Sequence, residues 1–236
     1  MDVRGLLLWE DEQLLAVNKP AGLLTIPDGH DPTLPHLSGL LKEQFGQAWT
    51  VHRLDKETSG VMIFARTLEA HRSLDRQFAE RAIHKEYRAL VIGVPEWQES
   101  LIDLPLRING DRKHRTVVDH QRGKPAQTAI TALEQLGGFA LLAAMPRTGY
   151  THQIRAHLSS NGLPLLHDPL YQSLKPETEA QKAAQEMISR LPLNRLALHA
   201  LRITFSHPIT GERQTVEAPL AQDFAETVEM LRVLFL

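Results

Sequence analysis

The stretch HRLDKETSG, residues 52–60, runs directly into the apolar segment VMIFA, residues 61–65. A short apolar run rich in β-branched and aromatic residues predicts a buried strand at 61–65. Asp55 then lies in a polar loop that enters the hydrophobic core, with Arg53 two residues before it. Such a loop can hold a carboxylate at the wall of a cleft. Taken alone, Asp55 is more simply interpreted as a turn residue paired with Arg53.

The pattern outward from this stretch predicts an α+β fold. Strands and helices mix without regular alternation, which favours a largely antiparallel mixed sheet flanked by helices and loops. Residues 95–127 are expected to be mostly loops and turns. The predicted strands lie at 14–17, 61–65, 85–93, 128–136, 139–145, 197–205 and 214–218. One helix is predicted to begin at Leu37 and a second after Thr67, which acts as its N-cap. A short third helix is predicted within 147–162 and should stop at Asn161-Gly162. Two further helices are predicted at 175–191 and 221–236.

Composition is that of an ordinary globular protein. The chain has 236 residues, of which 42% are hydrophobic and 23% are charged. This length suits one large domain, so residues 1–236 are expected to form a single catalytic domain. The absence of cysteine excludes disulfides and thiolate chemistry. The short N-terminal apolar run does not have the form of a signal peptide, and no stretch is apolar enough for a membrane span, so a cytoplasmic protein is expected. The protein is also expected to be a monomer.

A basic segment interrupts a nearly neutral chain. Net charge is −2, which alone argues weakly against a nucleic-acid partner. Residues 107–124, here called the basic arm, contain six Lys or Arg and two Asp. This arm is interpreted either as a solvated loop or as a phosphate contact made through Arg112, Lys113 and Arg115.

Metal and nucleotide signatures are weak or absent from the sequence. His152 and His157 are five residues apart, which turns them away from each other on a helix, and no other histidine spacing indicates a metal site. No GxGxxG, GxxxxGK[ST] or GxSxG motif occurs. Neither a metal nor a cofactor is therefore expected.

Four motifs follow one another in a fixed order. They are NKPAG at 18–22, HRLDKETSG at 52–60, KEYRA at 85–89 and RTGYTHQIRAH at 147–157, with LHA at 198–200 inside the late strand. Together the set resembles the RluA family of pseudouridine synthases, from about residue 10 to about residue 220. HRLDxxTSG is highly specific, whereas a lone KxY is weak. The resemblance implies the pseudouridine synthase fold and an isomerase that acts on structured RNA, ribosomal or transfer RNA.

The resemblance also implies a role for each matched residue. Asp55 is the catalytic aspartate, Tyr87 stacks on the target base, and Arg155 pairs with Asp55. Arg53 occupies the space left by the flipped nucleotide or contacts its backbone, and Leu198 lines the pocket. His52, from the same motif, is counted with the substrate-binding residues.

The sequence departs from the family pattern at two places. Tyr150 stands where a basic residue is common, which removes one expected RNA contact. His167-Asp168 stands where Gly-Asp is common, which puts the local turn in question. Many relatives carry an N-terminal S4-type RNA-binding domain. Because NKPAG begins at residue 18 here, no such domain is expected before it.

The chemistry agrees with these residue types. Isomerisation of uridine breaks the N1–C1′ bond, rotates the uracil and joins C5 to C1′, without redox change. A carboxylate can act as nucleophile or stabilise an oxocarbenium-like centre, and a nearby guanidinium keeps it ionised. An aromatic face such as Tyr87 compensates part of the unstacking. Two alternatives stay open: a non-catalytic RNA-binding protein with this fold, and a hydrolase that uses Asp55 with His52.

Overall fold

The computed structural model describes residues 2–171 and 185–235. Its contacts divide the chain into two compact units. The first unit comprises Met1–Tyr87 with His199–Leu220, and the second comprises Arg88–Leu198 with Ala221–Leu236. The chain passes from one unit to the other three times, after Tyr87, after Leu198 and after Leu220.

A buried central strand organises the first unit. Every residue of β4 is buried, because SGVMIFA has neighbours on both edges and both faces. The strand order is β1-β2-β4-β11, with β3 on β4 and β12 on β11. Strands β4 and β11 run parallel, whereas the pairs β1–β2, β2–β4, β3–β4 and β11–β12 are antiparallel. These strands are β1 Leu7–Glu10, β2 Leu14–Lys19, β3 Trp49–Thr50, β4 Ser59–Ala65, β11 Leu198–Ser206 and β12 Arg213–Glu217.

The second unit is built on a long hairpin. Strands β9 and β10 are antiparallel across Gly137-Gly138, and the strand order is β5-β10-β9-β6. A small separate ribbon, β7 with β8, lies in the basic arm. The strands are β5 His84–Ile92, β6 Glu99–Asp103, β7 Leu106–Arg107, β8 Val117–Val118, β9 Gln127–Leu136 and β10 Phe139–Pro146.

Helix ends follow local chemistry. Thr67 caps α2 by accepting a hydrogen bond from the Ala70 amide at 3.2 Å, as predicted. Helix α3 ends before Asn161-Gly162, where Gly162 takes the positive φ of 74° that glycine tolerates best. The helices are α1 Leu37–Phe45, α2 Leu68–Ala79, α3 Gln153–Ser160 and α4 Gln222–Phe235, and a short 3₁₀ turn covers Arg4–Leu6.

The predicted α+β class with a largely antiparallel mixed sheet is confirmed, and all seven predicted strands are present. Residues 95–127 are mostly loops and turns, as predicted, and the three short strands β6, β7 and β8 lie among them. Strand β6 buries only Ile102, so it gives little of the apolar alternation by which a strand is recognised. Most of the helix predicted at 175–191 lies outside the described residues, and its described part 185–189 is helical. Within the described residues, no helix is both long and apolar enough to span a bilayer.

Candidate functional site

Asp55 lies in the loop that leads from β3 into β4. The loop closes on itself, because the Thr58 amide donates to the Asp55 carbonyl at 3.1 Å. Leu54 is buried and Asp55 is half-buried. The side chain of Leu54 therefore anchors the loop in the core beside a carboxylate that keeps some contact with solvent.

Thr25 holds the residue before Asp55 through the backbone. Its hydroxyl donates to the Leu54 carbonyl at 2.8 Å and accepts from the Leu54 amide at 3.3 Å. Both backbone polar groups of Leu54 are thus satisfied by one buried side chain. This two-point contact fixes the backbone on the N-terminal side of Asp55.

Lys19 holds the residue after Asp55. Its side chain is fully buried, and its ammonium donates to the carbonyls of Lys56 at 3.0 Å, Leu23 at 2.7 Å and Pro20 at 2.9 Å. A buried ammonium is stabilised only when its donors find acceptors, and three carbonyls match its three protons. Lys19 therefore ties the NKPAG turn to the loop that carries Asp55.

A buried Ser–His pair locks the end of the same motif. The Ser59 hydroxyl and His199 Nδ1 are 2.9 Å apart, and His199 Nε2 lies 3.2 Å from the Ala218 carbonyl. Since Nε2 must donate to that carbonyl, Nδ1 accepts from Ser59. Gly60 has a φ of 118°, and a Cβ there would lie 2.2 Å from the Ala200 carbonyl oxygen. Glycine is thus required where the TSG and LHA motifs meet.

Tyr87 is buried near the start of β5. Burial raises the pKa of its phenol, and the negative charge of Asp55 raises this pKa further. The electrostatic influence of Asp55 is consistent with the joint site predicted for the two residues. Tyr87 consequently stays protonated at neutral pH.

His52 supports the second half of β4. Its Nε2 accepts from the Ile63 amide at 3.1 Å, and its ring stacks on Phe78 with centroids 5.0 Å apart. Burial and, to a smaller extent, the positive charge of Lys85 together lower the pKa of His52 to about 3. Such an imidazole is a weak base, which argues against a hydrolase built on Asp55 and His52. The substrate-binding role stays a prediction for His52 and for the exposed Arg53.

The free energy of unfolding should fall on acidification. Burial lowers the pKa of both His52 and His157 below the ordinary value of 6.5. Below pH 6.5 these histidines bind protons in the unfolded chain but stay neutral in the folded protein. The free energy of unfolding therefore decreases by up to about 1.4 kcal/mol per pH unit for each histidine. Urea unfolding between pH 7 and pH 5 measures this slope. His52→Gln should reduce the slope, whereas the exposed His120→Gln should not, and equal slopes in all three proteins would contradict the assignment.

Arg155 forms a buried ion pair within the second unit. Its Nε and Nη2 donate to the two oxygens of Asp168 at 2.8 and 2.7 Å, and the two side chains are 3% and 0% exposed. The pairing of Arg155 with Asp55 stays a prediction. Leu198 is buried at the first position of β11, and its pocket-lining role also stays a prediction.

The two departures from the family pattern each have a local setting. His167 takes a φ of 55°, which strains most residues other than glycine and explains why glycine suits this position. The following Asp168 nevertheless makes its turn, accepting from the amides of Leu170 and Tyr171. Tyr150 packs against the small cluster of Leu106, Ala126 and Ala156, so it contributes to packing at the base of the basic arm.

The basic arm divides its cations between two uses. Arg107 pairs with Asp119 and Arg115 with Asp111, each at 2.7 Å, and these pairs shape the arm itself. Four other basic residues are exposed: Arg112, Lys113, Arg122 and Lys124. The phosphate contact predicted for Arg112 and Lys113 is therefore compatible with their exposure, whereas Arg115 is already engaged inside the protein.

Several residues that shape the site are not among those predicted from the sequence. Lys19 and His199 lie inside the motifs NKPAG and LHA, and these motifs are the sequence signal for them. The remaining residues are Thr25, Asp168 and Tyr171. No sequence signal specifies their partners, because those partners are set by the fold. Among the described residues no group of three or more His, Asp or Glu is placed to hold a metal ion.

Comparison with known proteins gives concordant results. Residues 13–160 match the family model described as RNA pseudouridylate synthase. The chain is 38% identical to the ribosomal large subunit pseudouridine synthase D of Zymomonas mobilis, over 96% of this chain and 73% of that protein. It is 37% identical to the dual-specificity RNA pseudouridine synthase RluA of Escherichia coli K12, over 90% and 92%. Human RNA pseudouridylate synthase domain containing 4 has a TM-score of 0.77 at 26% identity, covering 98% of this chain and 94% of that chain.

Proposed function

The chain belongs to the RluA family of RNA pseudouridine synthases, and we propose that it isomerises uridine in a structured ribosomal or transfer RNA with Asp55 as the catalytic carboxylate. The observation that carries this assignment is the loop around Asp55. Its backbone is fixed on one side by Thr25 and on the other by Lys19, while Asp55 itself stays half-buried. Such preorganisation suits a group that must meet a reacting carbon in one geometry.

In the proposed reaction the Asp55 carboxylate acts at C1′ of a uridine that has left the stack. The N1–C1′ bond breaks, the uracil turns, and C5 bonds to C1′. The proton on C5 must then leave and N1 must gain one, so that the product is an isomer of the starting uridine. Arg155, held by Asp168, is proposed to keep Asp55 ionised, and Leu198, Arg53 and His52 are proposed to shape the nucleotide site.

The substrate assignment rests on the relatives. One named relative acts on the ribosomal large subunit, and another is named as a dual-specificity RNA enzyme. We therefore propose ribosomal or transfer RNA as the partner and the cytoplasm as the place of action. We further propose that the two units form one catalytic module that works as a monomer, which light scattering of the purified protein tests.

Pseudouridine mapping of total RNA, with and without the gene, tests the function directly. We expect at least one uridine to lose its modification when the gene is deleted and to regain it when the purified enzyme is added. Release of free uracil would instead indicate a hydrolase. Tight RNA binding without any product would indicate the non-catalytic alternative.

The exposed basic residues of the arm should contribute to RNA affinity through phosphates. Arg112→Ala with Lys113→Ala should weaken binding to many RNAs and should flatten the plot of log affinity against log salt by about one unit per lost contact. The matched control is Arg72→Ala with Arg76→Ala, which removes two exposed cations from α2. An unchanged slope in the arm variant would exclude the phosphate contact.

The hydroxyl of Tyr87 should matter for proton transfer. Because the raised pKa keeps this phenol neutral, it cannot serve as a preformed phenolate. It can still accept the C5 proton while it donates its own proton to a neighbouring charged group. Asp55 is the candidate for that group, because its negative charge raises the pKa of Tyr87. We expect Tyr87→Phe to bind RNA normally and to release tritium from C5-labelled uridine about 10²–10⁴-fold more slowly. Tritium release at the wild-type rate would show that the ring alone is required.

A further inference from the structure

Tyr171 joins the basic arm to the turn that holds Arg155. Its hydroxyl accepts from the Thr116 amide at 2.9 Å and donates to the Thr116 carbonyl at 3.0 Å. Thr116 lies in the arm, directly before β8. One hydroxyl thus satisfies both backbone groups of an arm residue that is 55 positions away in sequence.

The ring of Tyr171 contacts two guanidinium groups, that of Arg155 in α3 and that of Arg115 in the basic arm. The Cζ of Arg155 lies 5.1 Å from the ring centroid, and the Cζ of Arg115 lies 5.8 Å from it. Both distances are within the range of cation–π attraction. The same ring packs against the apolar cluster at the base of the arm.

Asp168 completes the connection from the other end. Its Oδ1 accepts from Arg155 Nη2 at 2.7 Å and also from the Leu170 and Tyr171 amides at 2.9 and 3.1 Å. The carboxylate that holds Arg155 therefore also holds the backbone of Tyr171. A second link runs in parallel, because Arg115 Nη1 donates to the Leu170 carbonyl at 3.0 Å.

We propose that Tyr171 is a positioning residue through which the conformation of the basic arm sets the orientation of Arg155. RNA held on the arm would then order Arg155 as well as add affinity, so that arm contacts affect kcat and not only binding. This inference rests on the proposed function, because it assigns the arm to RNA and Arg155 to the reaction. Every contact that carries it lies within the second unit.

Tyr171→Phe separates this coupling from packing, because it keeps the ring and removes only the hydroxyl. We expect the Thr116 amide to exchange with deuterium at least 10-fold faster. We expect kcat, measured with saturating RNA, to fall about 10-fold. The matched control is Tyr150→Phe, which changes a tyrosine packed on the same cluster and should alter neither quantity.

A double-mutant cycle tests the coupling itself. In the wild-type background, Arg112→Ala with Lys113→Ala should lower kcat, and in the Tyr171→Phe background the same pair should weaken binding without a further loss of kcat. Additive losses of kcat, or a wild-type kcat in Tyr171→Phe, would overturn the proposal. Should Tyr171→Phe fail to fold, Arg115→Met cuts the parallel link to Leu170 and must show the same loss of kcat. Absence of synthase activity in the wild-type protein would refute the proposed function. The outcomes above are measured in an active enzyme, so they test only the coupling through Tyr171.

Discussion

Asp55→Asn is expected to abolish pseudouridine formation, by at least about 10⁴-fold, while the fold and the RNA affinity stay close to wild type. The substitution keeps the size and shape of the side chain and removes its charge and its nucleophilic oxygen. The contacts that fix the loop are made to the backbone of Leu54, Asp55 and Lys56, so they survive the change. Loss of activity would therefore report chemistry and not misfolding.

Two measurements sharpen this test. Glu57→Gln makes the same chemical change two residues further along the loop and should keep full activity. Asp55→Asn also removes a negative charge that raises the pKa of Tyr87, so tyrosine ionisation should move to lower pH in that variant. Pseudouridine formed by Asp55→Asn, after mass spectrometry has excluded reversion to Asp, would show that another group acts at C1′.

The position of the loop around Asp55 could be predicted from the sequence because it rests on local patterns. VMIFA is apolar throughout and comes after a polar turn, so its composition alone predicts a buried strand shortly after Asp55. The N-cap predicted at Thr67 is likewise a property of a few neighbouring residues. The family motifs then ordered these local predictions into one fold.

The supports of the site were not accessible in the same way. Lys19 would ordinarily be placed on the surface, because lysine is rarely buried without partners. Its partner Lys56 lies 37 residues away in sequence. The Lys56 carbonyl comes within hydrogen-bond distance of the Lys19 ammonium only when the two loops meet in the folded protein. The resemblance predicts Asp55 as a partner of Arg155, and the structure adds Asp168, which lies 13 residues later in the chain. Such pairings depend on tertiary geometry, and no periodicity encodes them.

Arg155→Met should cost both stability and activity, and the two losses can be separated. Removing the guanidinium leaves the Asp168 carboxylate in a site with 0% exposure, which for buried pairs typically destabilises by about 3–5 kcal/mol. Two backbone amides still donate to Asp168, so the cost should lie near the lower end. The control is Arg195→Met in the same unit, where the pair with Asp223 is partly exposed and its loss should cost about 1 kcal/mol or less.

The double variant Arg155→Met with Asp168→Asn distinguishes the two roles. It removes both charges of the buried pair, so no charge is left without a partner, and the amide oxygen of the new side chain still accepts from the Leu170 and Tyr171 amides. We therefore expect urea unfolding to show a recovery of stability toward wild type, while pseudouridine formation stays at the low level of Arg155→Met. Recovery of turnover together with stability would mean that Arg155 serves the fold alone, and that the charge needed beside Asp55 comes from elsewhere.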